Sequence, residues 1–166
     1  MTQSIQLFTV GHSNRSLDDF INLLNSHNIR CIVDLRSNPS SRFEQFNQDM
    51  LDYALSKHGI NYNYLGNLLG GKPHTKDNRW HQGRLNSAVI AELRTSERWG
   101  KGLSLLKKKV QTNAEEGILS CLLCSERRAD QCHRNAVASD LSRILDIKVE
   151  HLDSKGAELA VQETML

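Results

Sequence analysis

Residues 118–124, ILSCLLC, limit the fold more than any other stretch of the chain, because all of them except Ser120 are apolar. A strand with one wet face alternates apolar and polar side chains, whereas a nearly continuous apolar run needs cover on both faces and belongs inside a parallel sheet. The polar interval 125–131 follows, and then Val137, Leu141, Ile144 and Leu145 recur at helical spacing. Strand, loop and helix in that order are the unit of an α/β fold.

Other stretches repeat the pattern. Residues 5–10 are a short apolar run broken at Gly11-His12-Ser13-Asn14; Ser16 stands as a helix cap, Asp18 and Asp19 occupy the first turn, and Leu17, Phe20, Ile21 and Leu24 make one face. Cys31-Ile32-Val33-Asp34-Leu35 has the β-branched content of a second strand, stopped by the Arg36-Ser37-Asn38-Pro39 loop. A second helix is expected from about Asn47, with Met50, Leu51, Ala54 and Leu55 on one face and Gly59 at its C-terminal cap. Residues 60–65 read as a strand, 85–94 and 103–110 as helices and 147–152 as a last strand, with an undetermined tail. The alternation predicts one α/β domain over residues 1–166, with a largely parallel sheet flanked by helices in a Rossmann-like arrangement.

The charge balance excludes some functions. Twenty-one basic side chains against 19 acidic ones leave a net charge of +2, too even to announce nucleic-acid binding by itself. With 24% charged and 39% hydrophobic residues the composition fits a soluble globular protein, and no apolar run reaches the length of a bilayer span. The opening residues carry neither a basic region nor a long apolar core, so the expectation is a cytoplasmic protein without a secretory signal or a membrane partner. Under that expectation the four cysteines are free thiols or ligands sooner than a disulfide framework.

In an open parallel sheet, ligands bind beyond the carboxyl ends of the strands. Three polar clusters fall there. The first, Gly11-His12-Ser13-Asn14-Arg15, leads into a helix start, where free backbone amides favour an anion. It has one glycine, so it is no dinucleotide fingerprint. His12 is either a satisfied loop histidine or a group for ligand binding or proton transfer. The second cluster runs from Asp34 to Arg42. Asp34 is a candidate base or charge stabiliser, Ser41 a ligand contact, and Arg36 and Arg42 are bidentate anion anchors. The structural alternative is an ion pair of Asp34 with Arg36 or Arg15 that shapes the loop.

The third cluster, residues 121–134 (CLLCSERRADQCHR), poses a cysteine question. Side chains an odd number of residues apart point to opposite faces of a strand, so Cys121 and Cys124 do not face one zinc ion, and no metal or other cofactor is called for. Cys124 and Cys132 are the candidate reactive thiols. Cys132 is placed in the first turn of a helix that Asp130 would cap, close to arginines that lower a thiol pKa. The alternative is that both are small packing residues. Glu126 and His133 are candidates for proton transfer, and Arg127 and Arg134 for holding an anion. Between the second and third clusters lies the stretch 72–84, with Lys72, His74, Lys76, Arg79, Trp80 and His81. It reads as a long loop, suited to stacking on a base or to pinning itself on the core.

Four blocks in this order, TVGHSNRSLDDF, VDLRSNPSSRF, YLGNLLGG and LLCSERRADQCHR, resemble the signature blocks of the domain-of-unknown-function family 488 over about residues 8–145. The resemblance implies that Gly11, His12, Ser13, Asp34, Arg36, Pro39, Ser41, Cys124, Glu126, Cys132, His133 and Arg134 are the family's motif positions. It implies the fold and the place of a site, and no particular reaction. The expectation is an enzyme, a hydrolase acting on a phosphate-bearing ligand such as a nucleotide or nucleic-acid component. The alternatives are a non-catalytic nucleotide or nucleic-acid binding module and a cysteine-based redox or transfer enzyme. Oligomeric state is open.

Overall fold

The computed structural model describes residues 4–71, 87–127, 133–152 and 158–160. Its centre is a six-stranded sheet in the order β3-β2-β4-β1-β5-β6, made of β1 (Ile5–Gly11), β2 (Ile29–Asp34), β3 (Asn61–Tyr64), β4 (Leu119–Cys124), β5 (Ile147–Leu152) and β6 (Glu158–Ala160). The first five run parallel, and β6 joins β5 antiparallel at the edge. The apolar run at 119–124 lies between β2 and β1, as its lack of a wet face requires.

Strand alternation sorts the side chains into two layers. On one face Leu7, Cys31, Val33, Leu122 and Val149 pack with Trp99, Leu106, Val110, Val137 and Leu141. These come from α5 (Glu97–Glu115) and α6 (Arg134–Ile144), with α3 (Gly66–Leu69) and α4 (Ser87–Arg94) beside them. On the other face Phe8, Val10, Ile32, Cys121 and Leu123 pack on α1 (Leu17–Ser26) and α2 (Gln48–Lys57) through Phe20, Ile21, Leu24, Leu51 and Leu55. Helices on both faces of a mostly parallel sheet make the predicted α/β, Rossmann-like arrangement.

Local signals explain the element ends. The Ser16 hydroxyl accepts from the Asp19 amide at 3.0 Å and starts α1. Gly59, at φ 71°, takes the left-handed turn after α2. Helix α5 is longer than the 103–110 read from its apolar face. It begins where the Ser96 hydroxyl accepts from the Trp99 amide at 3.3 Å, and its first turns carry glycine and charge that mask the periodicity. Trp99 donates from Nε1 to the Asp140 carboxylate at 2.9 Å, and Arg94 pairs with the same carboxylate at 2.7 Å, tying α4 and α5 to α6. Helix α6 begins at Arg134, with His133 in the cap position, later than the start expected at 130–132. Asp130 and Cys132 lie outside the described residues, as does the 72–84 loop.

Candidate functional site

Strands β2 and β4 are neighbours, but the chain leaves them in opposite directions: from β2 toward β3 on one side and from β4 toward β5 on the other. Loops that diverge from adjacent strand ends leave a crevice between them, which is where α/β proteins bind ligands. An open cleft of about 970 Å³ lies here. His12, Ser13 and Asn14 line it from the loop after β1, Ser40, Ser41, Arg42 and Phe43 from the loop after β2, and Ser125, Glu126 and Arg127 from the loop after β4. Three polar clusters distant in sequence thus share one wall-to-wall space.

The β1–β4 ladder runs past the strands into the cleft. The His12 amide donates to the Cys124 carbonyl at 2.9 Å and the Ser13 amide to the Ser125 carbonyl at 3.0 Å. Ser13 has a φ of 50°, a left-handed conformation that is uncommon for a residue with a Cβ. Gly11 has a steric reason to be glycine, because a Cβ there would lie 1.6 Å from the Glu126 carbonyl oxygen. Its contribution to the site is this close approach of the first loop to the third.

His12 is 3% exposed. Its Nδ1 donates to the Ser13 carbonyl at 2.8 Å, and its ring stacks on Phe46 with centroids 4.4 Å apart and planes 16° from parallel. Burial pushes its pKa down to about 4, with the Ser13 hydrogen bond opposing part of that shift. The imidazole is therefore neutral at pH 7 with its hydrogen on Nδ1, and Nε2 has no hydrogen-bond partner among the described residues. Arg15 does not line the cleft. It is buried, and its Nε donates to the Gly11 carbonyl at 3.2 Å.

Asp34 and Arg36 lie behind the cleft wall. Both are buried, and the carboxylate accepts from the Arg36 amide (3.0 Å), Nε (2.9 Å) and Nη2 (2.8 Å), and from the Tyr62 hydroxyl (2.5 Å). The guanidinium also donates to the Phe46 carbonyl at 2.7 Å, holding the residue that His12 stacks on. Burial and the neighbouring carboxylate raise the Tyr62 pKa, so the phenol keeps its proton and donates. This network supports the His12 ring from beneath and does not open on the cleft. Ser41 and Arg42 do line it. The Ser41 hydroxyl accepts from the Phe43 amide at 3.0 Å, and the exposed Arg42 guanidinium sits 4.9 Å above the Phe43 ring.

In the third loop Glu126 is half-buried, and desolvation raises its carboxyl pKa against the opposing charge of Arg134. The exposed Arg127 donates from Nη2 to the Asn14 side chain at 2.9 Å, bridging the first and third loops. Arg134 is fully buried. It donates to Thr9 Oγ1 at 3.1 Å and to the carbonyls of Glu126 at 2.5 Å and Arg127 at 3.1 Å, so it holds the main chain of the loop whose side chains line the cleft. Thr9 in turn is hydrogen-bonded to His151 Nδ1 at 2.5 Å.

Cys121 and Cys124 face opposite layers, as strand alternation requires: Cys121 packs with Val10 and Ile32, and Cys124 lies by His133 in α6's direction. Cys31 and Cys121 are free and buried, whereas Cys124 is disulfide-bonded. The expectation of free thiols is thus corrected at Cys124, whose sulfur in this state is no nucleophile. His133 is buried with a pKa lowered to about 4 by desolvation; its Nε2 donates to the Leu35 carbonyl at 2.9 Å and its Nδ1 lies 3.9 Å from the Cys124 sulfur. Among the described residues no three His, Cys, Asp or Glu side chains gather as a metal would need.

Asn14, Ser40 and Ser125 lie inside the three polar clusters but carried no individual role in the sequence, and Phe43 was missed, since nothing in their local pattern distinguishes them from ordinary loop residues. Sequence reading also missed Thr9, Tyr62 and His151 behind the cleft. A threonine and a histidine next to apolar residues near the ends of β1 and β5 were the available signal for Thr9 and His151.

Fold and cleft together define a doubly wound α/β protein with a polar cleft at its topological switch point. The chain belongs to the family described as Domain of unknown function DUF488, whose sequence profile matches residues 16–141. That match contains the second and third cleft loops. No curated protein and no solved structure matches the chain. No helix among the described residues is long and apolar enough to cross a membrane.

Proposed function

We propose that the protein is an enzyme that hydrolyses a bond in a phosphate-bearing ligand, a nucleotide or a nucleic-acid component. The observation that carries this reading is the convergence of His12, Glu126, Arg42 and Arg127 on one cleft at the switch point. A neutral imidazole with a bare Nε2 is a base that accepts a proton from water. A half-buried carboxyl with a raised pKa retains its proton closer to neutrality and is suited to protonating a leaving group. Arg42 and Arg127, exposed on two different loops, are suited to the ligand's phosphate. Ser13 and Ser41 supply hydroxyls for orientation. Asp34, Arg15, Arg36 and Arg134 serve by holding this lining in place.

The test is a panel of nucleotides and short oligonucleotides assayed for binding and product together. For a ligand that is turned over, His12→Gln and Glu126→Gln are each expected to lower kcat by about 100-fold or more while binding persists. Binding without turnover by the unaltered protein would instead establish the non-catalytic module, with affinity falling steeply as salt rises. Turnover that survives both substitutions would refute the assignment of acid and base. One observation favours the cysteine-based alternative, the neutral His133 Nδ1 beside the Cys124 sulfur. That chemistry needs the disulfide reduced, so activity that appears only with a thiol reductant and is lost in Cys124→Ser would support it.

A further inference from the structure

Which part of the ligand meets His12 follows from the direction of one hydrogen bond. The Ser13 carbonyl oxygen can only accept, so the 2.8 Å contact with Nδ1 needs the ring's hydrogen on Nδ1. A neutral imidazole has one such hydrogen. Nε2 is then a lone-pair acceptor, buried, on a cleft-lining ring, and without a hydrogen-bond partner among the described residues. The ring cannot swing away to find water, because it is stacked on Phe46, which Arg36 holds through its main-chain carbonyl. A buried acceptor left unpaired is costly, and only a donor removes that cost.

An ionised phosphate oxygen is itself an acceptor and would set lone pair against lone pair. We infer that the inner end of the cleft selects a hydroxyl or N–H group of the ligand, received by His12 Nε2, while the ligand's phosphate lies at the exposed rim with Arg42 and Arg127. This rests on the phosphate-bearing ligand proposed above and adds its orientation and class: a molecule with a donor at one end and an anion at the other, as in a phosphorylated sugar or a nucleotide. A cleft of about 970 Å³ has room for both ends of such a molecule. The same orientation puts the proton that His12 would take on a hydroxyl of ligand or water and not on a phosphate. The depressed basicity of the buried ring is consistent with its staying neutral until that group arrives.

The test uses the full chain labelled with ¹⁵N-histidine, observed by NMR at pH 8 with ribose, ribose 5-phosphate and methyl phosphate as probes, the His12 signals being assigned by their loss in His12→Gln. The expected result is an unprotonated Nε2 resonance in the free protein that ribose 5-phosphate shifts and methyl phosphate, whose dianion has no donor, does not. Ribose 5-phosphate should bind at least tenfold more tightly than methyl phosphate, and Arg42→Gln with Arg127→Gln should weaken both phosphates. Ribose that shifts Nε2 while no phosphate binds would support the donor end and remove the phosphate reading. Ribose 5-phosphate that binds through Arg42 and Arg127 but leaves Nε2 unmoved would overturn the inference and leave that reading standing. A protonated Nε2 in the free protein, or no binding of any probe, would also overturn it.

Discussion

Replacing Asp34 by asparagine separates a structural carboxylate from a catalytic one. The substitution keeps the shape of the side chain and removes its charge. One carboxylate oxygen accepts from the Arg36 amide and Nε, and the other from Arg36 Nη2 and the Tyr62 hydroxyl, with both partners of the ion pair at 3% exposure or less. An asparagine has one oxygen. Whichever way its amide turns, an NH2 group faces a donor and the guanidinium is left buried without its counter-ion. Breaking a buried pair from one side costs about 3–5 kcal/mol, against a total stability of about 5–15 kcal/mol for a domain. At about 2–4 °C per kcal/mol for a chain of this size, Tm should fall by roughly 6–20 °C. Circular dichroism melts and urea midpoints measure this directly, and Tyr62→Phe, which removes only one hydrogen bond to the same carboxylate, should show the same direction with a smaller shift. An Asp34→Asn protein with unaltered Tm would refute the reasoning. Unaltered Tm with lost turnover would make Asp34 a reacting group after all.

Two other outcomes are expected. His12, His133 and His151 are all buried with pKa values lowered to about 4, so on unfolding they regain their ordinary value near 6.5. The unfolded chain then binds more protons than the folded one between those limits. Their contribution to stability is complete above pH 6.5 and is lost as pH falls toward 4, by up to about 4 kcal/mol per pH unit for three histidines. Glu126, whose carboxyl is shifted up, opposes this by one proton near the bottom of the window. A urea midpoint that stays level from pH 7 to pH 5 would contradict the burial of these rings as neutral groups. Gly11→Ala should destabilise the fold by about 3 kcal/mol or more, because main chain on both sides must move to admit a Cβ placed 1.6 Å from the Glu126 carbonyl oxygen. Its urea midpoint and its affinity for phosphate probes should fall together, and a variant with both unchanged would show that the two loops do not meet as described.

What could be read from the sequence alone was governed by periodicity. The apolar run at 119–124, the Ser16 cap and the helical faces of α1, α2 and α6 report local burial and local hydrogen bonding, which neighbouring residues specify on their own, except that Met50 and Ile144, expected on the faces of α2 and α6, are exposed. The same reasoning put Cys121 and Cys124 on opposite faces and put three polar clusters at strand ends. The short α3 and the early start of α5 escaped it, because four residues hold no period and the first turns of α5 carry too few apolar side chains to display one.

Tertiary structure decided how the polar residues divide. Asp34, Arg36 and Arg134 look like site residues in a linear reading, since aspartate and arginine at strand ends are what a reactive cleft needs. Asp34 and Arg36 pair with each other, the structural alternative the sequence left open, and the further partners come from elsewhere in the fold: Tyr62 on β3, Thr9 on β1, and the carbonyls of Glu126 and Arg127 after β4. Those pairings hold them in the walls and leave His12, Ser13, Ser41, Arg42, Glu126 and Arg127 facing the cleft. The strand order determined by itself where the cleft falls, because β2 and β4 become neighbours only when the sheet forms. Spacing along the chain tells a residue which face of its own element it occupies. Which distant group it meets there, and so whether its charge is consumed by the fold or offered to a ligand, depends on contacts between elements.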